Sequence, residues 1–315
     1  MTGDKAREVL VRIGGMRLDR FLAEQVGGLS RGCFKDLILR GCVSVGGVPR
    51  RPDHRLRAGE LIRIDWPQSE WAQLSIDDWL IHEDKDLLVF NKPAGLIMHP
   101  MGASWETSPE AAVLDSEANL AGLLLSQRPE IARSGVERCG LVHRLDRHTS
   151  GVLVAAKTST AQQVLLTAFR ERTAQKTYRA IVLGEMDPVC VNAPVGRISG
   201  MRRVQVTQWG RDAETFFKRV GKGRGVSLVS AEPKTGRTHQ IRAHLAMVKH
   251  PVLGDAEWCG ALERRCLTEL GLPEPPRMML HAWRLKIPHP RTGKCVVFTA
   301  PLPKDFRDYW KLVKK

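Results

Sequence analysis

The chain of 315 residues has no cysteine or histidine pattern of the kind that binds metals. Its seven cysteines are scattered and no two have CxxC spacing, which argues against a zinc ribbon. The ten histidines include no HExxH pair, so the sequence favours chemistry without a metal. An odd number of cysteines without a secretion signal is typical of reduced thiols, and we expect a cytoplasmic protein.

Long apolar runs are also missing. The N-terminal segment mixes arginines with acids, and its longest apolar run is residues 9–11, which is too short for a signal peptide. No stretch approaches the roughly 18 apolar residues of a membrane span. The sequence therefore indicates neither secretion nor a membrane segment.

Positive charge exceeds negative charge in the composition. Lysine and arginine exceed aspartate and glutamate by 49 − 34 = 15, which suits a polyanionic partner such as RNA, DNA or an anionic membrane. A hydrophobic content of 43% indicates a packed core. No signature of a DNA recognition helix is visible, which disfavours a DNA-binding regulator.

The N-terminal residues 1–66 form a compact basic module. Apolar residues recur there at helical spacing, Ser30 is a candidate N-cap, and Gly46-Gly47 predicts a turn. A tryptophan-rich segment, residues 67–80, is interpreted as a linker, with docking of the small domain on the large one by the tryptophans as the alternative. Residues 81–315 are interpreted as a second, larger domain. Eight residues make the N-terminal module basic: Arg17, Arg31, Lys35, Arg40, Arg50, Arg51, Arg55 and Arg57.

The larger domain alternates strand and helix signals without a regular repeat. This order predicts an α+β domain with a mixed sheet and packed helices. A glycine-rich stretch, residues 221–225 (GKGRG), fits no phosphate-loop spacing and is interpreted as a basic hairpin tip. The predicted strands are residues 87–90, 152–156, 180–183, 226–231 and 296–299, and the predicted helices are residues 161–171 and 239–248.

The most informative segment is residues 143–151 (HRLDRHTSG). It puts Asp146 between Arg144 and Arg147, directly before a predicted buried strand. Neighbouring cations favour the ionised carboxylate, and a loop mounted on a buried strand holds it rigidly. From charges alone, an ordinary solvated salt-bridge loop is the alternative interpretation.

Five motifs in order resemble the RluA-type pseudouridine synthases, including the branch called RluC and RluD. One motif would be weak evidence, whereas five in family order are strong. Residues 16–65, with Arg17–Leu22 (RLDRFL), Ser30-Arg31 and residues 58–60 (AGE), resemble the alpha-L RNA-binding domain. The five motifs are residues 91–96 (NKPAGL) with His99-Pro100, residues 143–151, residues 176–180 (KTYRA), residues 235–244 (TGRTHQIRAH), and His250-Pro251 with Gly254-Asp255.

The resemblance implies a central, mostly antiparallel sheet with a cleft for RNA. It also implies an isomerase that converts uridine to pseudouridine with an aspartate and no cofactor. The alpha-L domain favours large-subunit ribosomal RNA, or a ribosome-assembly intermediate, over transfer RNA. The expected protein is a monomer. A non-catalytic RNA-binding or ribosome-assembly factor that kept the fold is the alternative.

Four residues receive roles. Asp146 is the catalytic carboxylate, acting as nucleophile or base. Arg242 is its expected partner, with the fork of its guanidinium holding both oxygens of Asp146. Tyr178 is expected to stack on the target base, with a core aromatic on a strand as the alternative. The resemblance implies that Arg144 occupies the space that the flipped base leaves, with a phosphate contact as the alternative. Lys92 is left without an assigned role.

Overall fold

The computed structural model describes residues 6–67, 71, 73–100, 104–107, 109–198 and 203–314. It divides into two compact units. Unit 1 comprises Met1–Ile76 and Ile97–Cys139, and unit 2 comprises Asp77–Leu96 and Gly140–Lys315. The segment from residue 97 to 139, which the sequence assigns to the larger domain, thus groups with the N-terminal residues. Residues 68–70 and 72 of the predicted linker lie outside the described residues.

Unit 1 begins with a four-stranded antiparallel sheet in the order β1-β4-β2-β3 and two helices that pack on it. Three further short helices belong to the 97–139 segment. The elements are β1 (Ala6–Leu10), α1 (Leu18–Gln25), α2 (Arg31–Leu39), β2 (Val43–Val45), β3 (Val48–Pro49), β4 (Leu61–Asp65), α3 (Ser104–Thr107), α4 (Leu120–Gln127) and α5 (Pro129–Arg133), with a 3₁₀ turn at Pro109–Ala112.

Local signals account for the N-terminal module. The Ser30 hydroxyl accepts a hydrogen bond from the Cys33 backbone N–H, as expected of an N-cap. Gly46 and Gly47 both have positive φ, at 58° and 78°, which a two-residue hairpin turn between β2 and β3 requires. Apolar residues of both helices and the sheet bury one core, which includes Leu18, Leu22, Phe34, Leu37, Ile62 and Ile64.

Trp66, at the end of the N-terminal module, and Trp71, in the predicted linker, both pack within unit 1. Trp66 packs against the core of the N-terminal module. The indole N–H of Trp71 donates to the Asp115 carbonyl at 3.2 Å, and the Trp71 ring lies so close to Gly122 that a Cβ there would meet it at 2.8 Å. Arg40 donates to the Leu114 carbonyl at 2.6 Å. These contacts explain why the 97–139 segment groups with the N-terminal module.

Unit 2 contains a nine-stranded mixed sheet flanked by helices. Its elements are β5 (Leu80–Glu83), β6 (Leu87–Lys92), β7 (Ser150–Ala156), α6 (Ser159–Arg170), β8 (Gln175–Leu183), β9 (Val189–Asn192), β10 (Val195–Arg197), β11 (Val204–Val206), β12 (Glu214–Lys222), β13 (Val226–Pro233), α7 (Gln240–Met247), α8 (Gly260–Glu269), β14 (Leu280–Pro288), β15 (Cys295–Thr299) and α9 (Lys304–Val313). Two 3₁₀ turns, Ile76–Trp79 and Arg138–Gly140, each include a chain boundary between the units.

The strand order is β5-β6-β7-β14-β8-β13-β12-β9. The ninth strand, β15, lies outside this order and pairs with β14. Every pair is antiparallel except β7 with β14. The expectation of a mixed, mostly antiparallel sheet is therefore confirmed. At the parallel pair, Gly151 has a φ of 117°, and a Cβ there would lie 2.2 Å from the Ala282 carbonyl oxygen. Only glycine allows β7 and β14 to approach this closely.

All five predicted strands and both predicted helices exist, and the turn between β12 and β13 lies at the predicted hairpin tip. Six strands of unit 2 were not predicted: the short β5, β9, β10 and β11, and the long β12 and β14. β12 exposes one face, and β14 carries a register shift between Ala282 and Arg284 that breaks its period of two. No helix in the described part of the chain is long and apolar enough to cross a membrane.

Candidate active site

The loop that carries Asp146 is fastened to β7 by its own side chains. β7 is buried at all seven positions. The Val154 backbone N–H donates to His143 Nε2 at 3.0 Å, and the His143 ring stacks on Phe169 with centroids 4.7 Å apart. Burial lowers the pKa of His143 to about 3, so this histidine is a neutral acceptor at physiological pH. The Thr149 N–H closes a turn on the Asp146 carbonyl at 3.0 Å.

Lys92 fastens the other side of the same loop. This lysine is only 1% exposed, and its ammonium donates to the carbonyls of Pro93 and Leu96 at 2.8 Å and of Arg147 at 3.2 Å. Gly95 N–H donates to the Arg147 carbonyl as well, at 2.8 Å. Burial lowers the pKa of Lys92 to about 7, while the charge of Asp146 opposes that fall. Lys92 is therefore an internal clamp, and not a surface contact.

Arg242 reaches Asp146, but not in the expected way. One Arg242 nitrogen, Nη1, lies 3.4 Å from Asp146 Oδ2. The fork of the guanidinium instead holds both oxygens of Asp255, with Nε at 2.6 Å and Nη2 at 2.8 Å, and Nη2 also donates to Glu257 at 2.9 Å. The prediction that the fork binds Asp146 was wrong. Asp255 is 1% exposed, whereas the Asp146 side chain is 18% exposed, so leaving Asp255 unpaired would cost more free energy, and the fork pairs with Asp255.

His239 stands directly before helix α7 in a left-handed conformation, with φ of 56°. A non-glycine residue there is strained, and such strain is typical of functional positions. Its Nε2 lies 3.9 Å from Asp146 Oδ1 and its Nδ1 3.4 Å from Glu257. Burial lowers the pKa of His239, although the charge of Asp146 acts in the opposite direction. As the spacing of three predicts, His239 and Arg242 come to the same side, facing Asp146.

The indole ring of Trp258 packs against Arg242, Arg203 and His239. The Arg242 guanidinium lies 4.4 Å from the centre of its ring, the Arg203 guanidinium 5.0 Å, and His239 meets it edge-on at 5.5 Å. Cations over an indole face are stabilised by the ring quadrupole. Trp258 therefore contacts these side chains through its aromatic ring and not through a polar atom.

A cleft of about 480 Å³ opens over Asp146. Tyr178 lines it from β8, and Lys176 lies two residues away on the same face of that strand. Burial and the charge of Asp146 raise the pKa of Tyr178 well above its usual range, so its phenol stays protonated. Arg144 also lines the cleft, is exposed, and has no hydrogen-bond or ion-pair partner within the described ranges.

The structure thus gathers Asp146, Arg144, Tyr178 and Arg242 in one place. Sequence reasoning gave no role in the site to Asp255, Glu257, His239, Lys92 and Lys176, although all of these except Glu257 lie in the five motifs. A usable signal existed for Asp255 in the preceding Gly254, whose φ is 74° and whose Cβ would meet the Arg277 carbonyl oxygen at 2.0 Å. Only glycine fits so tight a turn, and the Gly254-Asp255 pair stands in the fifth motif.

Metal-like geometry occurs, among the described residues, at Asp84, Asp86 and His289, none of which lines the cleft. These side chains already have partners. Asp84 accepts from His82 at 2.8 Å and from His289 at 2.9 Å, and Asp86 forms a bidentate pair with Arg291. They cross-link two hairpins by hydrogen bonds.

The N-terminal module presents a different surface. Arg17 and Arg31 pair with the buried Asp19 at 3.1 Å and 2.9 Å, which orders the start of α1 and α2. Of the eight basic residues named in the sequence analysis, four more are exposed, and their side chains have no hydrogen-bond or ion-pair partner among the residues that the structure describes: Lys35, Arg50, Arg51 and Arg57. Exposed, unpaired cations of this kind are available to phosphates.

Comparisons with known proteins agree with this geometry. Residues 86–247 match the family model described as RNA pseudouridylate synthase, and residues 16–62 match that of the S4 domain. The ribosomal large subunit pseudouridine synthase D of Nitrosomonas europaea is 35% identical over 93% of this chain and 83% of its own length. The protein of that name from Vibrio vulnificus is 35% identical over 96% and 92%. The solved structure of human RNA pseudouridylate synthase domain containing 1 has a TM-score of 0.54 and 27% identity, over 71% of this chain and 83% of that one.

Proposed function

Because the chain belongs to the RNA pseudouridylate synthase family, we propose that it isomerises specific uridines of large-subunit ribosomal RNA with Asp146 as its catalytic carboxylate. One observation carries the assignment of Asp146. It is a partly exposed carboxylate in the cleft, with Oδ2 near a buried arginine and Oδ1 without a hydrogen bond from the described residues. Such an oxygen is open to a sugar carbon or a proton.

The isomerisation breaks the bond between C1′ of the ribose and N1 of uracil and joins C1′ to C5. Attack on carbon and removal of a proton both require an ionised carboxylate at a defined position. Arg242 favours the ionised form, and it is itself held by Asp255 and Glu257. The chemistry consumes no nucleotide and changes no oxidation state, so we propose that no cofactor takes part.

Tyr178, in this proposal, supports the target base with its ring. Its half-buried phenol stays protonated, because burial and the charge of Asp146 raise its pKa, and its ring lines the cleft beside the reacting base. Arg144, exposed and unpaired at the cleft, fills the gap that the extruded base leaves in the RNA.

Two features favour ribosomal RNA over transfer RNA. The relatives described above are named for the ribosomal large subunit, and the chain carries an S4 domain with four exposed, unpaired cations. We propose a cytoplasmic monomer that acts on the RNA or on a ribosome-assembly intermediate. A non-catalytic assembly factor would bind the same RNA and leave no modified base.

Mapping pseudouridines in all cellular RNA, with and without the gene, tests this proposal. We expect one or more sites in large-subunit ribosomal RNA to disappear, and to return with the wild-type gene but not with Asp146→Asn. Sites lost only from transfer RNA would reassign the substrate. An unchanged map, or full rescue by the Asn variant, would overturn the enzymatic assignment.

A further inference from the structure

Lys176 is a cation in the cleft that no carboxylate of the described residues pairs with. Its ammonium donates once, to the Thr235 carbonyl at 3.1 Å, although an ammonium has three N–H groups. Burial lowers its pKa to about 8, and no acidic group offsets that shift. The protein therefore bears the cost of desolvating a positive charge without compensating it.

Its position relates Lys176 to the reacting base. Side chains two residues apart on a strand share a face and lie about 7 Å apart, so Lys176 is the neighbour of Tyr178 on the cleft side of β8. The positive charge of Lys176 also contributes to the lowered pKa of His143, which belongs to the Asp146 loop. A base stacked on Tyr178 would present an edge towards Lys176.

We propose that the Lys176 ammonium binds a carbonyl oxygen of the target uracil and stabilises the negative charge that the base acquires when its glycosidic bond breaks. The inference rests on the proposed function. When C1′–N1 breaks, its electron pair stays on N1 and is shared with O2 and O4. Formation of C1′–C5 uses an electron pair of the ring, C5 loses its proton, and N1 gains one, so the isomer keeps all atoms.

The depth of Lys176 favours the base over a phosphate. Arg144 and Arg172, the other cations of the cleft wall whose side chains have no hydrogen-bond or ion-pair partner among the described residues, are exposed, and a phosphate backbone can reach them. Lys176 is half-buried beside Tyr178. A preformed cation in a site from which water is displaced stabilises charge that appears only during the reaction, because it needs no reorganisation.

The test compares Lys176→Met with wild type on two pools of transcripts, each containing large-subunit ribosomal RNA and transfer RNAs. One pool contains uridine and the other 5-fluorouridine, whose fluorine makes the departing base a weaker base. Single-turnover loss of the target nucleoside is measured after nuclease digestion, and RNA affinity is measured separately. Lys176→Arg keeps the charge, and Lys218→Met changes an exposed lysine on β12 as a matched control.

We expect Lys176→Met to lose about 100-fold in single-turnover rate on uridine, the size found for removing one preorganised donor. The loss should shrink at least several-fold on 5-fluorouridine, RNA affinity should stay near wild type, Lys176→Arg should recover part of the rate, and Lys218→Met should match wild type. An equal loss on both pools, or a loss of affinity alone, would overturn the inference and indicate a structural or phosphate contact.

The outcomes also separate this inference from the proposed function. If the wild-type protein turns over neither pool, both are overturned. If Asp146→Asn retains turnover, the role of Asp146 is wrong while the comparison at Lys176 still stands. If wild type is active and Lys176→Met equals it on uridine, only the role of Lys176 is wrong.

Discussion

The N-terminal module and the cleft use the same residue types in opposite ways. In the module, Lys35, Arg50, Arg51 and Arg57 are exposed and unpaired among the described residues. In the cleft, Arg242 is 8% exposed and is held by three carboxylates, those of Asp146, Asp255 and Glu257. The first set is free to meet a mobile polyanion, whereas Arg242 has a fixed geometry before any RNA arrives.

This difference separates the residues that provide RNA affinity from the residues that position the reacting groups. Exposed cations gain energy from phosphates by releasing counterions, and this gain depends on salt. A buried, paired cation gains little from bulk RNA, but it holds the reacting groups in place. Net charge alone, at +15, does not distinguish the two roles. Substitutions in each region should therefore affect different measurements.

The largest effect is expected at Asp146. Asp146→Asn should lower single-turnover pseudouridine formation by at least about 10⁴-fold, as loss of a catalytic side chain does in other enzymes. An amide keeps the shape but neither attacks carbon nor takes a proton. Asp187→Asn, at a side chain 91% exposed, is the control and should be fully active. Equal RNA binding by both proteins would show that the fold is intact, and near-normal turnover by Asp146→Asn would contradict its role.

Arg242→Leu should damage stability as well as activity. It leaves the buried Asp255 without its bidentate partner, which should lower the free energy of unfolding by roughly 3–5 kcal/mol. Urea unfolding of Arg242→Leu, Asp255→Asn and the double variant measures this. The double variant should be more stable than Arg242→Leu alone, because the orphaned charge is gone. Additive losses would mean that the two residues do not act as a pair.

Lys92→Met should lower the free energy of unfolding by about 2–3 kcal/mol, because it leaves buried carbonyls without a donor.

The pH dependence of the free energy of unfolding that Lys92 contributes has a definite sign. The folded pKa of about 7 lies below that of an ordinary lysine, near 10.5, so the unfolded chain binds more protons between these values. The contribution of Lys92 to stability therefore rises with pH across this window. Unfolding measured from pH 7 to 10 should show a smaller rise in Lys92→Met than in wild type, and parallel curves would contradict this.

The smallest effect on chemistry is expected in the N-terminal module. Changing Lys35, Arg50, Arg51 and Arg57 together to glutamine should weaken RNA binding and leave the single-turnover rate at saturating RNA nearly unchanged. The slope of log affinity against log salt should fall by about 0.7–0.9 for each phosphate that the variant no longer neutralises. Arg20 and Arg63 of the same module already pair with Glu24 and Asp65, so their glutamine variants are the matched control. An unchanged slope in the fourfold variant would exclude these cations from RNA binding.

Local patterns in the sequence determined much of what the protein is. The Ser30 cap, the Gly46-Gly47 turn and the buried run of β7 depend on neighbours in the chain, and each lies where it was predicted. The five ordered motifs predicted the family, which the family model and the relatives confirm. The roles of Asp146, Tyr178 and Arg144 remain predictions, although the structure brings the three side chains to one cleft.

Only the tertiary structure decided which charges belong together. Arg242 lies 13 residues from Asp255 and 96 from Asp146 along the chain, and its fork pairs with Asp255, the more deeply buried carboxylate. Lys92 lies 55 residues from the Arg147 carbonyl that it binds, and Lys176 lies 59 from that of Thr235. Pairing at such distances depends on which groups the sheet removes from water. Desolvation is a property of the assembled fold, and no local pattern in the sequence contains it.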